Sequence, residues 1–364
     1  MKRFVITAFI FLSLILAACL FLHYYIIPKL GFTPYYWGDK LITEKRNAAV
    51  ASSGFNTLFF GSSMVYRQIN PAAFDSVVNK NSNLDIKSFN FGVNWLASSE
   101  LIYLTDNILN DIPEKPRYVF LELQRIKMVN YKNYLTTRII YWYTPELYKF
   151  TVDAILHSRM PFYSKAGQFI SHTVNFIGNQ INLGYFTEAL RFLAETHTAG
   201  LYRTPEEVGN GFLSLEAENK KLLESGVNPE RLNRFLKDTA TVYARKQASI
   251  TAFSYFEKHP EDLSVYNTAY AAKLNSMIEK YKVNNIHLII FLPPRLDRLQ
   301  YQELLPVLNA LPDDHRLNMA DARLYPGFYL ASHSFDVTHM NEKGAALYSR
   351  NLAEQFVNRM IKMN

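Results

Sequence analysis

Apolar and polar positions follow different rules in successive stretches of the chain. From Phe4 to Leu22 every residue is apolar except the mildly polar Thr7, Ser13 and Cys19. Farther on, short apolar runs alternate with stretches of helical period. Leu58-Phe59-Phe60, Ile86 to Phe91 and Arg117 to Leu123 have the length and continuity of strands buried on both faces of a parallel sheet. Between them, Asn70-Pro71 starts a helix to about Val78, with an N-cap residue followed by proline at the first helical position, and a second helix covers Ala97 to Leu109. The alternation stops at about Asn130. Up to Asp262 the chain carries helical stretches rich in Tyr, Phe and Leu and no convincing buried strand. It then resumes with a helix over Leu263 to Tyr281, whose Tyr270, Leu274, Met277, Ile278 and Tyr281 share one face, and the strand Ile286 to Leu292, closed by Pro293-Pro294. A helix at Leu299 to Leu308, a short strand at Leu317 to Met319 and a terminal helix carrying Ala345, Leu352, Phe356 and Met360 complete the pattern.

Strands separated by helices of this length require right-handed crossovers, so the predicted fold class is α/β: a three-layer α/β/α domain whose parallel sheet has about five strands. A helical insertion splits that domain, because the strandless stretch is too long for an ordinary loop and is better placed over the carboxyl edge of the sheet. The expected organisation is a transmembrane segment at 1–27, a membrane-proximal linker at 28–50, the first half of the core at 51–128, the insertion at 129–262 and the second half of the core at 263–364.

Nineteen mostly apolar residues at roughly 1.5 Å each approach the thickness of a bilayer core, and the Lys2-Arg3 flank directs the rest of the chain to the outer side. A cleaved signal peptide and a lipoprotein signal at Leu16-Ala17-Ala18-Cys19 are the competing readings. An uncleaved single-pass anchor is preferred, since the apolar character continues past the cysteine through Leu20-Phe21-Leu22 and Tyr24 to Ile27. With Cys19 as the only cysteine, an extracytoplasmic domain has no disulfides and holds by packing alone. A formal net charge of +7 suits anionic surfaces such as phospholipid heads or acidic polysaccharides. No dense Lys/Arg tract or nucleic-acid motif occurs, which excludes nucleic acid as the expected partner.

The chemistry is expected where the first strand ends. Gly61-Ser62-Ser63 breaks the apolar run abruptly, and open α/β sheets keep their ligands at such carboxyl ends. Paired serines also mark ordinary loops, as Ser52-Ser53 and Ser98-Ser99 do. The second half of the argument is Asp336-Val337-Thr338-His339, in which a carboxylate and an imidazole lie close enough on one loop to be partners for a serine nucleophile, followed by Asn341 as cap of the last helix. No histidine and carboxylate set has metal-ligand spacing, so no cofactor is expected. His333 is near enough to His339 to be a substrate contact, and Arg125, Arg295 and Arg298 follow strands on the presumed active edge as candidates for anionic groups. In the insertion, Tyr141-Trp142-Tyr143 and Tyr185-Phe186 are candidates for stacking on sugar rings, against the commoner role of such residues as core.

An early strand-Gly-Ser-Ser with a late Asp-x-x-His ahead of a terminal helix resembles the SGNH, or GDSL-like, hydrolase superfamily. The resemblance covers about residues 51–128 and 263–364 and implies a flavodoxin-like sheet with Ser63 as nucleophile, His339 as base and Asp336 as its partner. Gly92 matches the family's second block. The third block is not intact, and only Gln124 stands where its asparagine would be. The oxyanion would then be held by the backbone of Ser63, by Gly92 and by Gln124, with Ser62 and Arg125 as further contacts. The Gly-Ser-Ser form and the N-terminal span are most similar to the membrane-anchored branch serving cell-envelope acylation, such as D-alanyl transfer proteins and alginate O-acetyltransferases. That branch implies an extracytoplasmic acyltransferase or esterase acting on an envelope glycan, with a multi-span membrane partner supplying the acyl group. The competing expectation is an impaired glycan-binding or scaffolding subunit.

Overall fold

The computed structural model describes residues 2–26, 29, 39–52, 54–96, 98–126, 142, 144–157, 160–181, 203–226, 239–260 and 265–363. In chain order these form helix α1 (Lys2–Phe21), continued by a π turn over Leu22–Ile26, then α2 (Lys40–Ala51), β1 (Thr57–Gly61), α3 (Ser63–Gln68), α4 (Pro71–Asn81), β2 (Ser88–Gly92), α5 (Ser98–Asp111) and β3 (Tyr118–Glu122). Helices α6 (Pro145–Leu156), α7 (Phe162–Ile181), α8 (Pro205–Val208), α9 (Leu215–Glu224) and α10 (Thr239–Lys258) follow with no intervening strand among the described residues. The chain ends with α11 (Val265–Val283), β4 (His287–Leu292), α12 (Arg298–Asn309), β5 (Arg316–Asn318) and α13 (Glu342–Met363).

Contacts divide the chain into two compact units, residues 45–127 with 204–364 and residues 1–44 with 128–203. The first contains a five-stranded sheet of order β2-β1-β3-β4-β5, with every neighbouring pair parallel. The strands are short and apolar, and all but the first residue of β4 and the ends of β5 are buried. Side chains alternate between two cores. On one face Phe59, Phe120, Ile289 and Phe291 pack with Phe74 of α4 and Phe356 of α13, and Phe59, Phe74, Phe120 and Phe356 hold their rings 4.8 to 5.8 Å apart in tilted and edge-on pairs. On the other, Leu58, Phe60, Val119, Leu121, Leu288 and Ile290 are equally buried. There α5 lies on β1 and α11 on β4, tied to each other by Tyr281 Oη donating to Asp106 at 2.6 Å. The result is a three-layer α/β/α arrangement with a topological switch point between β1 and β3, where the strand order reverses.

Helix boundaries follow local chemistry. Asn70 caps α4, accepting from Ala72 and Ala73 ahead of Pro71, and Asn341 Oδ1 accepts the Gly344 N–H at 2.9 Å to start α13.

The expected insertion is not one body. Residues 204–262 cluster with the sheet, because polar groups tie them to it. The Asn90 N–H at the β2 edge donates to Asn210 O at 2.8 Å, Arg67 reaches Glu218 at 2.7 Å, and buried Lys246 donates to Phe328 O at 2.9 Å. The β2 edge is thus partly covered.

In the second unit, α1 is long and apolar enough to cross a membrane and buries no side chain. Helix α7 packs on α6 and on α1. Residues 28 and 30–38 of the expected linker lie outside the described residues, whereas 40–51 are helical.

Candidate active site

The turn after β1 is built around close approach. A Cβ on Gly61 would lie 2.1 Å from Val65 Cγ2 and 2.5 Å from Glu122 Oε2. Its φ is not in the left-handed region. The glycine is therefore required for space and not for the sharp turn the sequence suggested. Next to it Ser62 is the N-cap of α3, accepting from the Met64 N–H at 3.2 Å. Its own N–H donates to Glu122 Oε2 at 2.6 Å and its hydroxyl to Oε1 at 3.2 Å. Both of its polar groups are thus committed to holding the turn. Ser63, the first residue of α3, is left to face the cleft.

Ser63 Oγ lies 2.9 Å from His339 Nε2. On the far side of the ring, His339 Nδ1 is 2.9 Å from Asp336 Oδ2 and 3.0 Å from Oδ1. The two chain segments are 276 residues apart and are brought together by the fold. Asp336 Oδ1 also accepts the backbone N–H groups of Thr338 and His339, each at 2.7 Å, and the Thr338 hydroxyl at 2.8 Å. Burial alone would raise the Asp336 carboxyl, but the hydrogen bonds and charge of His339, with the Thr338 N–H, hold it well below the usual carboxylate range. A carboxylate that stays ionised fixes the tautomer with the proton on Nδ1, leaving Nε2 to accept from Ser63.

The triad opens into a cleft of about 700 Å³ lined by residues that follow β1, β2, β3 and β4, together with residues from α9 and α10. Not every expected contact is there. Gly92 is spent elsewhere: its N–H donates to Asn90 Oδ1 at 2.8 Å, and a Cβ would lie 2.2 Å from the Tyr66 nitrogen. It serves the packing of β2 against α3 and is no oxyanion donor. Gln124 lines the cleft but directs Nε2 to Glu122 Oε2 at 3.0 Å. The Ser63 N–H, at the open end of α3, has no acceptor among the described residues and is the available donor.

The arginines are mostly taken as well. Arg125 pairs with Glu303 at 2.5 Å, Arg295 is buried against Glu122 at 2.9 Å, and Arg298 lies 5.2 and 5.4 Å from the rings of Tyr255 and Phe256. His333 Nδ1 donates to Gly327 O, 2.8 Å away, and the residue does not line the cleft. Trp142 is buried, so it is core; Tyr141, Tyr143, Tyr185 and Phe186 lie outside the described residues.

Three residues important to the site escaped the sequence reading. Glu122 is the anchor beneath the turn, joining Ser62, Gln124 and Arg295, and a charge inside the apolar run Tyr118 to Leu123 was the signal that could have found it. Trp95 lines the cleft while 85% exposed, with φ of 61°. Such a backbone is unusual for a bulky residue and marks a position held for a purpose. Arg245 is exposed in the cleft without an ion pair among the described residues. No protein-family model matches this chain, and no curated protein matches it in sequence.

Proposed function

We propose that this chain is a membrane-anchored serine acyltransferase or esterase of the SGNH type, working on the extracytoplasmic side of the membrane on ester groups of an envelope glycan. The observation that carries the reading is the continuous line Ser63 Oγ, His339 and Asp336, with both gaps at 2.9 Å. Ser63 Oγ attacks the acyl carbon while its proton passes to His339 Nε2, and the Ser63 N–H stabilises the oxyanion. Collapse of the tetrahedral intermediate breaks the ester bond, and the leaving alkoxide takes the proton from Nε2. The acyl-serine is then attacked by an acceptor hydroxyl or by water, whose proton goes to Nε2 and on to Ser63 Oγ. Asp336 remains ionised and holds the imidazolium throughout.

A flat aromatic rim and a cation with no ion pair among the described residues favour a large, polar acceptor. Trp95 offers an exposed face of the kind that stacks on sugar rings, and Arg245 suits an anionic substituent. A positioned hydroxyl can compete with water through orientation. The apolar α1 and the Lys2-Arg3 flank support an anchored, outward-facing domain. A transferase in that place needs an acyl donor on the outer side, and thus a multi-span membrane partner to carry the group across.

The commitments of Gly92 and Gln124 favour a second reading, a glycan-binding subunit without chemistry. Deleting the chain and measuring ester-linked substituents on purified envelope glycan separates the two. Loss of ester restored by wild type but not by His339→Ala supports transfer; excess ester supports hydrolysis. Full rescue by His339→Ala leaves only binding.

A further inference from the structure

We infer that α7 lies in the membrane surface, with one long face in contact with lipid; this rests on the reading of α1 as a membrane anchor. The helix is inside out for a protein in water. Phe162, Tyr163, Ile170, Val174 and Ile177 are between 49% and 88% exposed, while His172 and Asn175 are 1% and 6% exposed. At roughly 100° per residue, Tyr163, Ile170, Val174 and Ile177 share one side of the helix and His172 and Asn175 the other. The polar side is turned toward protein. Tyr148 of α6 stacks on Phe176 with ring centroids 4.2 Å apart, and its hydroxyl lies 2.8 Å from Thr173 Oγ1. Thr151 of α6 is buried and satisfies its own hydroxyl on Leu147 O at 2.7 Å.

An apolar stripe of this length is costly to leave against water. What covers it follows from its neighbour. Helix α7 packs on α1 within one compact unit, and α1 exposes apolar side chains along its length. The α7 face therefore continues a surface that already fits hydrocarbon. Too polar to span, with Ser164, Lys165, Gln168, Ser171, His172 and Asn175 in its sequence, α7 has the amphipathic character of a helix lying in the interface. Phe162 and Tyr163 at its start suit the headgroup level. Lys165 is its one charged residue, and Lys165 Nζ donates to Leu156 O at 2.9 Å. Attachment thus depends on apolar burial and not on anionic lipid.

The test uses the full chain, with Cys19→Ala, reconstituted in neutral phosphatidylcholine nanodiscs and carrying an environment-sensitive fluorophore on one introduced cysteine. Leu12→Cys reports the anchor, Val174→Cys the α7 face, and Lys282→Cys the aqueous surface of the sheet unit. Val174 is expected to be quenched by lipids carrying a nitroxide near the headgroup, with aqueous iodide quenching about fivefold weaker or less than at Lys282. Ile170→Asp, which removes little packing because the side chain is mostly exposed, should return an Ile177→Cys reporter to iodide. Iodide quenching at Val174 equal to that at Lys282, with Leu12 dry, overturns the inference and spares the anchor. A wet Leu12 overturns the anchor reading itself. Shielding of Val174 from iodide without nitroxide quenching means that protein covers the face, and also overturns the inference.

Discussion

The two compact units treat buried polarity in opposite ways. In the sheet unit, the buried charges of Glu122 and Lys45 are both matched: Glu122 meets Arg295, Ser62 and Gln124, and Lys45 donates to Asn90 O at 2.9 Å and Gly92 O at 2.6 Å with its charge 3.8 Å from the Tyr66 ring. Apolar side chains are packed behind them. In the second unit, α7 turns His172 and Asn175 inward and Ile170, Val174 and Ile177 outward. Buried charges in the first unit are matched beside the cleft, and buried polar residues in the second leave an apolar face exposed.

The sharpest way to break this comparison is to look for chemistry in the wrong unit. Ser63→Ala should abolish labelling by a serine-directed phosphonate and lower acyl transfer by about 10⁴-fold or more. Ser62→Ala should keep most of the labelling and lose about 1 kcal/mol of stability with its cap. Ile170→Asp with Val174→Asp should leave labelling of detergent-solubilised protein unchanged. The reverse order for the two serines would sink the assignment of Ser63.

The matched charges come next. Glu122→Gln keeps an oxygen for the Ser62 N–H but leaves Arg295 buried without its counter-charge, so unfolding in denaturant should come earlier by about 3 kcal/mol or more. A change under about 1 kcal/mol would show that solvent reaches the pair. Gly92→Ala forces a methyl onto the Tyr66 backbone and should cost about 1–3 kcal/mol of stability. Loss of turnover at full stability would instead restore Gly92 to the oxyanion site.

The smallest effect separates the units by pH. Burial pushes the His172 imidazole down to about 4. As pH falls below its ordinary range the unfolded chain takes the proton first, so stability is full above about pH 6.5 and declines toward pH 4. Asp336 is also depressed, and its contribution is full above about pH 4 and lost only in stronger acid, as pH falls toward the folded value. Protection factors in α6 and α7, corrected for the intrinsic pH dependence of amide exchange, should therefore fall between pH 6.5 and 4 while the loop at 336–339 stays protected. His172→Leu should remove the first phase; its persistence would assign the phase to another group.

Much of the sheet was legible because its strands are buried on both faces and read as unbroken apolar runs. Leu58 to Phe60 and Ile286 to Leu292 needed no neighbours to be recognised, and Asn70-Pro71 marked a helix start by its own chemistry. Asp336 and His339 were legible as a pair because only two residues separate them on one loop. Whether they would meet Ser63 was not, since a contact across 276 residues depends on the order of the strands and on α13. The oxyanion reading failed at Gly92 for a related reason: a glycine motif is the same whether it frees an N–H or lets Tyr66 come close, and only the coordinates distinguish them. The boundary of the insertion was illegible because 204–262 join the sheet through scattered polar contacts, among them Arg67 with Glu218, that leave no periodic trace. Local pattern and capping thus determined the elements by sequence alone, because hydrogen bonding and burial act along a few neighbouring residues. Tertiary structure decided which polar groups are matched, which glycines are crowded and which way α7 faces, because those depend on distances between segments remote in the chain.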